Sequence, residues 1–335
     1  MPALLSVLGL GSPRNQSVHY LADINPQTLD ILAEKVDTMG SAKITKAQKI
    51  ALSILDTHEQ LKKLPNYQPG QDINRLLGNL VHTCVQIHPP SVIQQILNFP
   101  GLQQMLPSLR TICSEAECCL ENYWAERAIA LADQGHETVL EALQIDFPYF
   151  QNYVDLARLE LSAIRAAMPT TTELKKITFI GSGPLPLTSW CLLDQIRKTS
   201  GIDSTPTITN IDMSPIAIAT SLHLNAVLGR WGDEMEFLCG EAGSSSISLA
   251  DSDVVYVAAL VGLSQEDKEE IFLNVVRTMR PGALLVIRSA WGLRTCLYPE
   301  VSVNTERLLE VLEPCAVVHP YTDVVNSVVV ARVRE

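Results

Sequence analysis

The stretch KITFIGSG, residues 176–183, decides the fold of this chain because a buried-strand pattern runs directly into a glycine turn. The apolar run ITFI is typical of a strand that is covered on both faces of a parallel sheet. Gly181 and Gly183 have no Cβ atoms, so the backbone can turn sharply there and a ligand can approach its amides. The following PLTSWCLLDQIRKTS (186–200) has a helix pattern. Together these patterns predict a strand–turn–helix unit with a candidate ligand site at the turn.

Downstream of this unit, short β-type runs alternate with helical runs. Strand patterns occur at TITNIDM, MEFLCGEA, VVYVAAL and GALLVIRSA, and CAVVHPYT and NSVVVARV are predicted to form a terminal antiparallel pair. Alternating strands and helices indicate βαβ units, and hence a parallel sheet with helices on both faces. The texture of the sequence changes at MPTTT (168–172), so we predict a Rossmann-like domain over residues 169–335.

The first 168 residues carry apolar positions at helical spacing and no strand pattern. The predicted helices cover residues 27–39, 45–62, 72–86, 91–98, 101–133 and 148–167. Turn signals such as NYQPG and HPP separate them. The predicted fold class is therefore α/β, with an all-α helical domain over residues 1–168 preceding a Rossmann-like, methyltransferase-like sheet.

The bulk composition argues against several classes of partner. The chain of 335 residues is 47% hydrophobic, which suffices for a buried core, and its formal net charge of −12 argues against binding to nucleic acids or anionic membranes. No stretch approaches the roughly 20 apolar residues of a membrane span, and the start of the chain lacks the basic region of a signal peptide. Eight scattered Cys residues without a CxxC pair favour free thiols in a reducing cytoplasm over a metal site. We therefore expect a cytoplasmic, metal-free protein that acts on a small molecule, and a homo-oligomer remains open.

The second strand pattern of the sheet ends at Asp212, where a carboxylate typically binds the two hydroxyls of a ribose. Asp212 follows Gly183 by 29 residues, compared with about 20 in the dinucleotide fingerprint. Pro184 and Pro186 remove two of the backbone amides that a pyrophosphate would need. We therefore expect a ligand with a ribose and without a pyrophosphate, such as S-adenosylmethionine. The alternative role for Asp212 is to cap the next helix, as Ser214 could.

Ligands of such sheets bind at the carboxyl ends of the parallel strands, which makes several further positions eligible. The candidate residues for binding S-adenosylmethionine are Gly181, Ser182, Gly183, Leu185, Asp212, Glu241, Ala242, Ala259 and Leu260. For the residues that follow the third and fourth strands, packing in the core is an equally good interpretation.

Residues 179–189, FIGSGPLPLTS, closely resemble the FVGSGPLPLTS block of plant nicotianamine synthases. Further blocks resemble the same family in the same order, namely CSEAE (113–117), FPYFQNY (147–153), LARLE (156–160), VVYVAALVG (254–262), VIRSAWG (286–292) and LYP (297–299). The chain departs from the family pattern at Phe150, where the family has Tyr, and at Trp291, where it has His. The resemblance runs from about residue 72 to about residue 300, and the first 70 residues match poorly.

Nicotianamine synthases condense three S-adenosylmethionine molecules by transferring aminobutyrate (3-amino-3-carboxypropyl) arms to an amine, with release of methylthioadenosine and closure of an azetidine ring. The resemblance therefore implies a transferase of this type that uses S-adenosylmethionine as a substrate and no metal. A product with several carboxylates and amines chelates divalent transition metals. The resemblance thus also implies that the product is a metallophore with a role in metal homeostasis.

An amine nucleophile is largely protonated near neutral pH, so its attack needs a proton acceptor. Glu115, Glu117 and Glu121 lie in one predicted helix. The last two share a face because they are four residues apart, and Tyr149 and Tyr153 have the same spacing. With the resemblance, we expect one of the two facing glutamates to act as the base and one of the tyrosines as its partner. Without it, the acids indicate a solvated helix face and the tyrosines a packed one.

Arg288 ends a buried strand pattern, at the edge where a guanidinium can bind an α-carboxylate in a bidentate way. A salt bridge to a helical acid is the alternative role for this side chain. Ser289, Arg294 and Tyr298 are further candidates for substrate binding. The helical domain is expected to act as a lid that encloses the growing product and excludes water.

Three other functions are compatible with parts of this pattern. A small-molecule methyltransferase would share every residue of the glycine turn but would lack the EAE and FPYFQNY blocks. A related aminobutyrate transferase would use another amine and make another opine-like metallophore precursor. A non-catalytic nucleotide sensor would bind the ligand without turnover.

Overall fold

The computed structural model describes residues 44–134, 139–169, 172–200, 205–228, 232–244, 247–262 and 264–335. Within these ranges the first part of the chain forms the helices α1 (Lys46–Leu61), α2 (Gln71–Val85), α3 (Pro90–Leu97), α4 (Leu102–Asp133), α5 (Val139–Asp146) and α6 (Phe150–Ala167). The bounds of α1 to α4 and of α6 agree with the sequence predictions to about two residues. The helix predicted over residues 27–39 lies outside the described residues, and α5 has no counterpart among the predicted helices.

The second part of the chain forms a seven-stranded sheet. Its strands are β1 (Lys176–Ile180), β2 (Thr207–Asp212), β3 (Met235–Cys239), β4 (Val254–Val257), β5 (Leu284–Ser289), β6 (Leu312–Val318) and β7 (Ser327–Val333). The spatial order is β3-β2-β1-β4-β5-β7-β6, and β7 runs antiparallel to both of its neighbours. The predicted parallel sheet with a terminal antiparallel pair is thus confirmed.

Helices on both faces connect the strands, namely α7 (Leu187–Ser200), α8 (Pro215–Leu228), α9 (Gln265–Val276) and α10 (Glu306–Val311). The chain leaves β1 towards β2 on one side and returns to β4 on the other. The carboxyl ends of β1 and β4 are therefore the switch point, where open α/β sheets bind their ligands.

The central strands are apolar because both of their faces are covered by helices. Every residue of β4 and β5 is buried. Tyr256 and Val286 belong to a hydrophobic cluster with α4 to α8, whereas the adjacent Val255 and Leu285 belong to a second cluster with α9 and α10. The prediction that these runs are strands covered on both faces is confirmed.

Helix α6 joins the helical part of the chain to the sheet. Its residues Leu161 and Ile164 lie in the same hydrophobic cluster as Ile177 of β1. The helices α1 to α4 form a third cluster, which also contains Leu293 and Cys296 from the segment after β5. The hydrophobic core is therefore continuous across the change from helices to sheet near residue 169, and the division into two domains stays a prediction.

The eight Cys residues of the chain all lie within the described ranges as free thiols. The same ranges contain no cluster of three or more His, Cys, Asp or Glu side chains placed to hold a metal ion. None of their helices combines the length and the apolar character that crossing a bilayer requires.

The interface between α6 and the sheet can be tested at Ile164, which has no exposed surface. Ile164→Ala should lower the free energy of unfolding by about 2–5 kcal/mol, because it removes buried apolar atoms and leaves a cavity. Ile145 is 81% exposed, so Ile145→Ala should change the same quantity by less than about 0.5 kcal/mol. Urea unfolding curves measure both values, and equal values would mean that α6 does not form part of the shared core.

Candidate active site

A cleft lies between the carboxyl ends of β1, β4 and β5 and the helices α4 and α6. Its volume is about 510 Å³, including space that is open to solvent. The cleft is lined by Glu117, Glu121, Tyr153, Phe179, Gly181, Ser182, Leu185, Pro186, Thr188, Ser189, Ala258, Ala259, Leu260, Arg288 and Asn326. It therefore occupies the switch point of the sheet and brings residues of the helical part against the glycine turn.

The glycine turn is held to the neighbouring strand, and it needs glycine at two positions. Gly181 and Gly183 have φ angles of 82° and 65°, which side chains with a Cβ rarely adopt. The N–H groups of Gly181 and Ser182 donate to the carbonyl of Ile211, at 2.8 and 3.1 Å. A Cβ on Gly181 would lie 2.5 Å from Cγ2 of Val261. The turn thus combines positive φ angles with a close approach of the segment that follows β4.

Gly183 also fixes the distance between the turn and the helical part of the chain. A Cβ at this position would lie 2.7 Å from Oε2 of Glu121. The missing side chain therefore allows a carboxylate of α4 to rest directly on the turn.

Asp212 links the end of β2 to the glycine turn. Its Oδ2 accepts a hydrogen bond from the N–H of Gly183, and its Oδ1 accepts one from the N–H of Ser214, both at 2.9 Å. The hydroxyl of Ser214 accepts from the N–H of Ala217 at 3.2 Å, which is the bond of a helix N-cap. Ser214 therefore caps α8, and ribose binding by Asp212 stays a prediction.

Two carboxylates of α4 face the cleft, and each accepts a hydrogen bond from a tyrosine of another segment. The hydroxyl of Tyr153 on α6 donates to Oε1 of Glu121 at 3.2 Å. The hydroxyl of Tyr298 donates to Oε2 of Glu117 at 2.5 Å. Glu115 on the same helix is exposed. The structure thus forms two glutamate–tyrosine pairs, and it places Tyr298, predicted as a substrate ligand, in one of them.

Both carboxyl groups of the pairs hold protons more tightly than exposed glutamates. Burial, and then the adjacent Glu117, raises the pKa of Glu121 to about 8, although Tyr153 and Arg288 act in the opposite direction. Burial also raises the pKa of Glu117, against the lowering effects of Tyr298 and Arg288. In the free protein Glu121 is therefore largely protonated at neutral pH. A cationic ligand beside it would favour the ionised form.

Arg288 lies in the wall of the cleft and is held by a buried acid. Its Nε donates to Oε1 of Glu160 at 2.7 Å and its Nη2 to Oε2 at 3.3 Å. Nη2 also donates to the hydroxyl of Thr188 at 2.9 Å. The guanidinium carbon lies 5.2 Å from the ring centroid of Phe179. The alternative role of Arg288, a salt bridge to a helical acid, is therefore observed, and the side chain still lines the cleft.

Several predicted site residues are not among those that line the cleft, namely Tyr149, Glu241, Ala242, Ser289 and Arg294. The guanidinium of Arg294 is buried and donates to the carbonyls of Val324 and Thr322, at 3.0 and 2.7 Å. The hydroxyl of Ser289 accepts from the N–H of Val301 at 2.8 Å. These two side chains therefore hold the segment after β5 in place.

Sequence reasoning did not select Glu160 or Asn326 as site residues. Glu160 is fully buried and lies one turn from Leu156 and one turn from Ile164, on the apolar face of α6. An acid at such a position is a signal that the sequence contains, because a buried charge needs a partner. Asn326 stands in an otherwise apolar run at the start of β7, and this signal is weaker.

Two buried polar atoms in the cleft wall have no hydrogen-bond partner. They are the hydroxyl oxygen of Ser182 and Nδ2 of Asn326. Leaving such an atom unsatisfied costs about 1–3 kcal/mol. In a cleft, groups of this kind are candidates for satisfaction by a ligand.

The close approach at the glycine turn can be tested with a matched pair of substitutions. Gly181 and Gly282 both have a φ of 82°, but a Cβ on Gly282 would meet no atom within 4 Å. Both alanine variants are strained by the backbone conformation, and Gly181→Ala adds a steric clash. It should lower the free energy of unfolding by about 1–3 kcal/mol more than Gly282→Ala does. Thermal unfolding of the two variants measures this difference, and equal stabilities would rule out the clash.

The raised pKa of Glu121 predicts a pH dependence of stability. Because its pKa lies at about 8 in the folded protein and near the ordinary 4.5 in an unfolded chain, the folded protein keeps a proton that the unfolded chain loses. The stability that this proton contributes is fully present below about pH 4.5 and is lost as the pH rises to about 8.

Urea unfolding at about pH 5 and about pH 9 should therefore give a difference between wild type and Glu121→Gln that becomes less favourable to the wild type as the pH rises. Glu126 is exposed on the same helix, and Glu126→Gln serves as the control. A difference between wild type and Glu121→Gln that does not change with pH would contradict the raised pKa.

Comparison with known proteins relates the chain to one family. A family model described as nicotianamine synthase protein matches residues 44–335. The nicotianamine synthase of Solanum lycopersicum is 36% identical over 279 residues, which make up 83% of this chain and 82% of that protein. Nicotianamine synthase 9 of Hordeum vulgare is 32% identical over 295 residues, covering 88% of this chain and 81% of that protein.

Solved structures give the same relation for the fold. The crystal structure of MtNAS in complex with MTA and tNA matches with a TM-score of 0.68 at 20% identity, and the match covers 88% of this chain and 100% of that chain. This likeness confirms the predicted fold class, a Rossmann-like sheet preceded by helices. Because the family model and both relatives extend over most of its length, the chain belongs to the nicotianamine synthase family.

Proposed function

We propose that this protein is a nicotianamine synthase, which condenses three S-adenosylmethionine molecules and releases methylthioadenosine. The observation that carries the proposal is the position of Glu121. This carboxylate is hydrogen-bonded to Tyr153 and lies directly against Gly183 of the ligand-binding turn. A proton acceptor beside the turn is what amine alkylation needs. Crystal structures of MtNAS with S-adenosylmethionine and with MTA and tNA support the choice of ligand.

In this proposal S-adenosylmethionine lies along the carboxyl ends of β2, β1 and β4. Asp212 binds the ribose hydroxyls, and Gly181 and Ser182 lie beside the ligand, with the free hydroxyl of Ser182 as a donor. Ala259 and Leu260 line the same part of the cleft. The two prolines of the turn leave too few amides for a pyrophosphate, in agreement with a ligand that has none.

The bond-forming step uses the nitrogen lone pair of an α-amine. The nitrogen attacks the γ-carbon of the aminobutyrate arm, the carbon–sulfur bond breaks, and its electron pair returns to the sulfonium, which leaves as neutral methylthioadenosine. The nitrogen loses one proton to Glu121, whose raised pKa suits it to accept this proton. Tyr153 orients the carboxylate through its hydrogen bond. The alignment of the γ-carbon, rather than the methyl carbon, with the amine determines the product.

Three wider features belong to the same proposal. Residues 1–168 act as a lid and substrate domain, because α4 and α6 supply one wall of the cleft and keep water from the sulfonium. The product is a metallophore that serves metal homeostasis, since its carboxylates and amines bind transition metals. The protein acts in the cytoplasm, where its eight free thiols remain reduced.

The proposal predicts the products that form from S-adenosylmethionine alone. Mass spectrometry of the small molecules should find nicotianamine and methylthioadenosine, and Glu121→Gln should lower the rate of release of methylthioadenosine by about 100-fold or more, because the proton acceptor is lost. Glu126→Gln is the control, since Glu126 is exposed on the same helix, and its rate should match the wild type.

Other products would point to the other functions. S-adenosylhomocysteine in place of methylthioadenosine, in the presence of an amine, would identify a methyltransferase. Methylthioadenosine that appears only after another amine is added would identify a different aminobutyrate transferase. Binding without any product would identify a sensor.

A further inference from the structure

Asn326 is a buried polar residue of the cleft that the proposed reaction leaves without a role. It is 8% exposed, it lines the cleft, and its Nδ2 has no hydrogen-bond partner. It immediately precedes β7, whose Val328 pairs with Arg288 and whose Ser327 pairs with Ser289. Asn326 therefore lies next to the carboxyl end of β5, close to Arg288 along the sheet edge.

The order of the strands separates the two ends of the cleft. Asp212 ends β2 and Asn326 begins β7, and the order β2-β1-β4-β5-β7 places four strand spacings between them. At about 4.8 Å per spacing, the two residues lie roughly 19 Å apart along the sheet edge. A single S-adenosylmethionine with its ribose at Asp212 leaves the β5–β7 end for a second reactant, which is the molecule that brings the amine.

Arg288 still has hydrogen-bond donors for such a reactant. A guanidinium has five N–H groups, and the bonds to Glu160 and Thr188 use the donors on Nε and Nη2. Within the described part of the chain, both N–H groups of Nη1 are left. Arg288 is also the single cation among the residues that line the cleft. The ion pair with Glu160 fixes the direction in which these donors point.

We propose that Nη1 of Arg288 and Nδ2 of Asn326 form a carboxylate subsite for the amine acceptor, a proposal that rests on the proposed function. The acceptor is then an α-amino acid group, held by its carboxylate at the β5–β7 end while its amine faces the glutamate–tyrosine pairs. Two N–H donors on one side of a carboxylate match its two oxygens. A simple amine without a carboxylate lacks this contact, so Asn326 selects amino acid acceptors over other amines.

The subsite can be tested by calorimetric titration with two ligands. Nicotianamine carries carboxylates and occupies the acceptor end, whereas methylthioadenosine has no carboxylate and occupies the turn. Asn326→Asp keeps the side-chain volume but replaces the amide donor with an acceptor. The Kd for nicotianamine should rise about tenfold or more, and the Kd for methylthioadenosine should stay within about twofold, which also shows that the variant is folded.

Asn304→Asp is the matched control, because Asn304 is exposed and the change adds the same charge at the surface. It should leave both dissociation constants unchanged. The subsite is overturned if Asn326→Asp binds nicotianamine as the wild type does, or if it loses affinity for both ligands equally. Failure of the proposed function has a different signature, since the wild type itself would then bind methylthioadenosine without binding nicotianamine.

Discussion

The buried ion pair between Arg288 and Glu160 is the interaction on which the arrangement of the cleft depends. Glu160 has no exposed surface, and its carboxylate accepts two hydrogen bonds from the guanidinium. Burial alone would lower the pKa of Arg288, but the adjacent carboxylate outweighs this effect and raises it. Removing one partner of such a pair costs about 3–5 kcal/mol, because the other charge remains buried without compensation. The pair therefore ties α6 to β5 in one relative position.

This constraint also sets the charges of the cleft. Helix α6 carries Tyr153 as well as Glu160, so the ion pair that holds α6 on the sheet also places the tyrosine hydroxyl at Glu121. The acids of α4 then stand at one side of the cleft and the arginine of β5 at another. A zwitterionic amino acid fits this separation of charges, because its amine prefers the acids and its carboxylate prefers the arginine. In the proposed reaction both reactants carry such a group.

The sequence predicted the parts of the structure that depend on local patterns. The glycine turn, the doubly covered strands and the common face of Glu117 and Glu121 follow from spacing along the chain. Pairings between distant residues do not follow in this way. Tyr298 and Glu117 are 181 residues apart, and Arg288 and Glu160 are 128 residues apart. Their partners could be found only once the fold had brought α4, α6 and β5 together.

Arg294 illustrates why residue type alone was insufficient. An arginine close to a ligand edge suggests carboxylate binding, yet the donors of Arg294 are used by backbone carbonyls of the segment before β7. Such carbonyls have no side-chain signature, so the sequence contains no pattern that reports them. Arg288 differs because its partner is a side chain, and a buried acid on an apolar helix face is visible in the sequence.

The position of the base relative to the turn also explains how one sheet can serve different alkyl transfers. The turn, Asp212 and the segment after β4 would hold S-adenosylmethionine in the same way for a methyl transfer and for an aminobutyrate transfer. The difference must then come from what stands over the turn, since only the carbon in line with the nucleophile reacts. In this chain Gly183 lets Glu121 of the helical part reach the turn itself. A side chain at position 183 would move the carboxylate away, so this one glycine links the ligand turn to the proton acceptor of the proposed reaction.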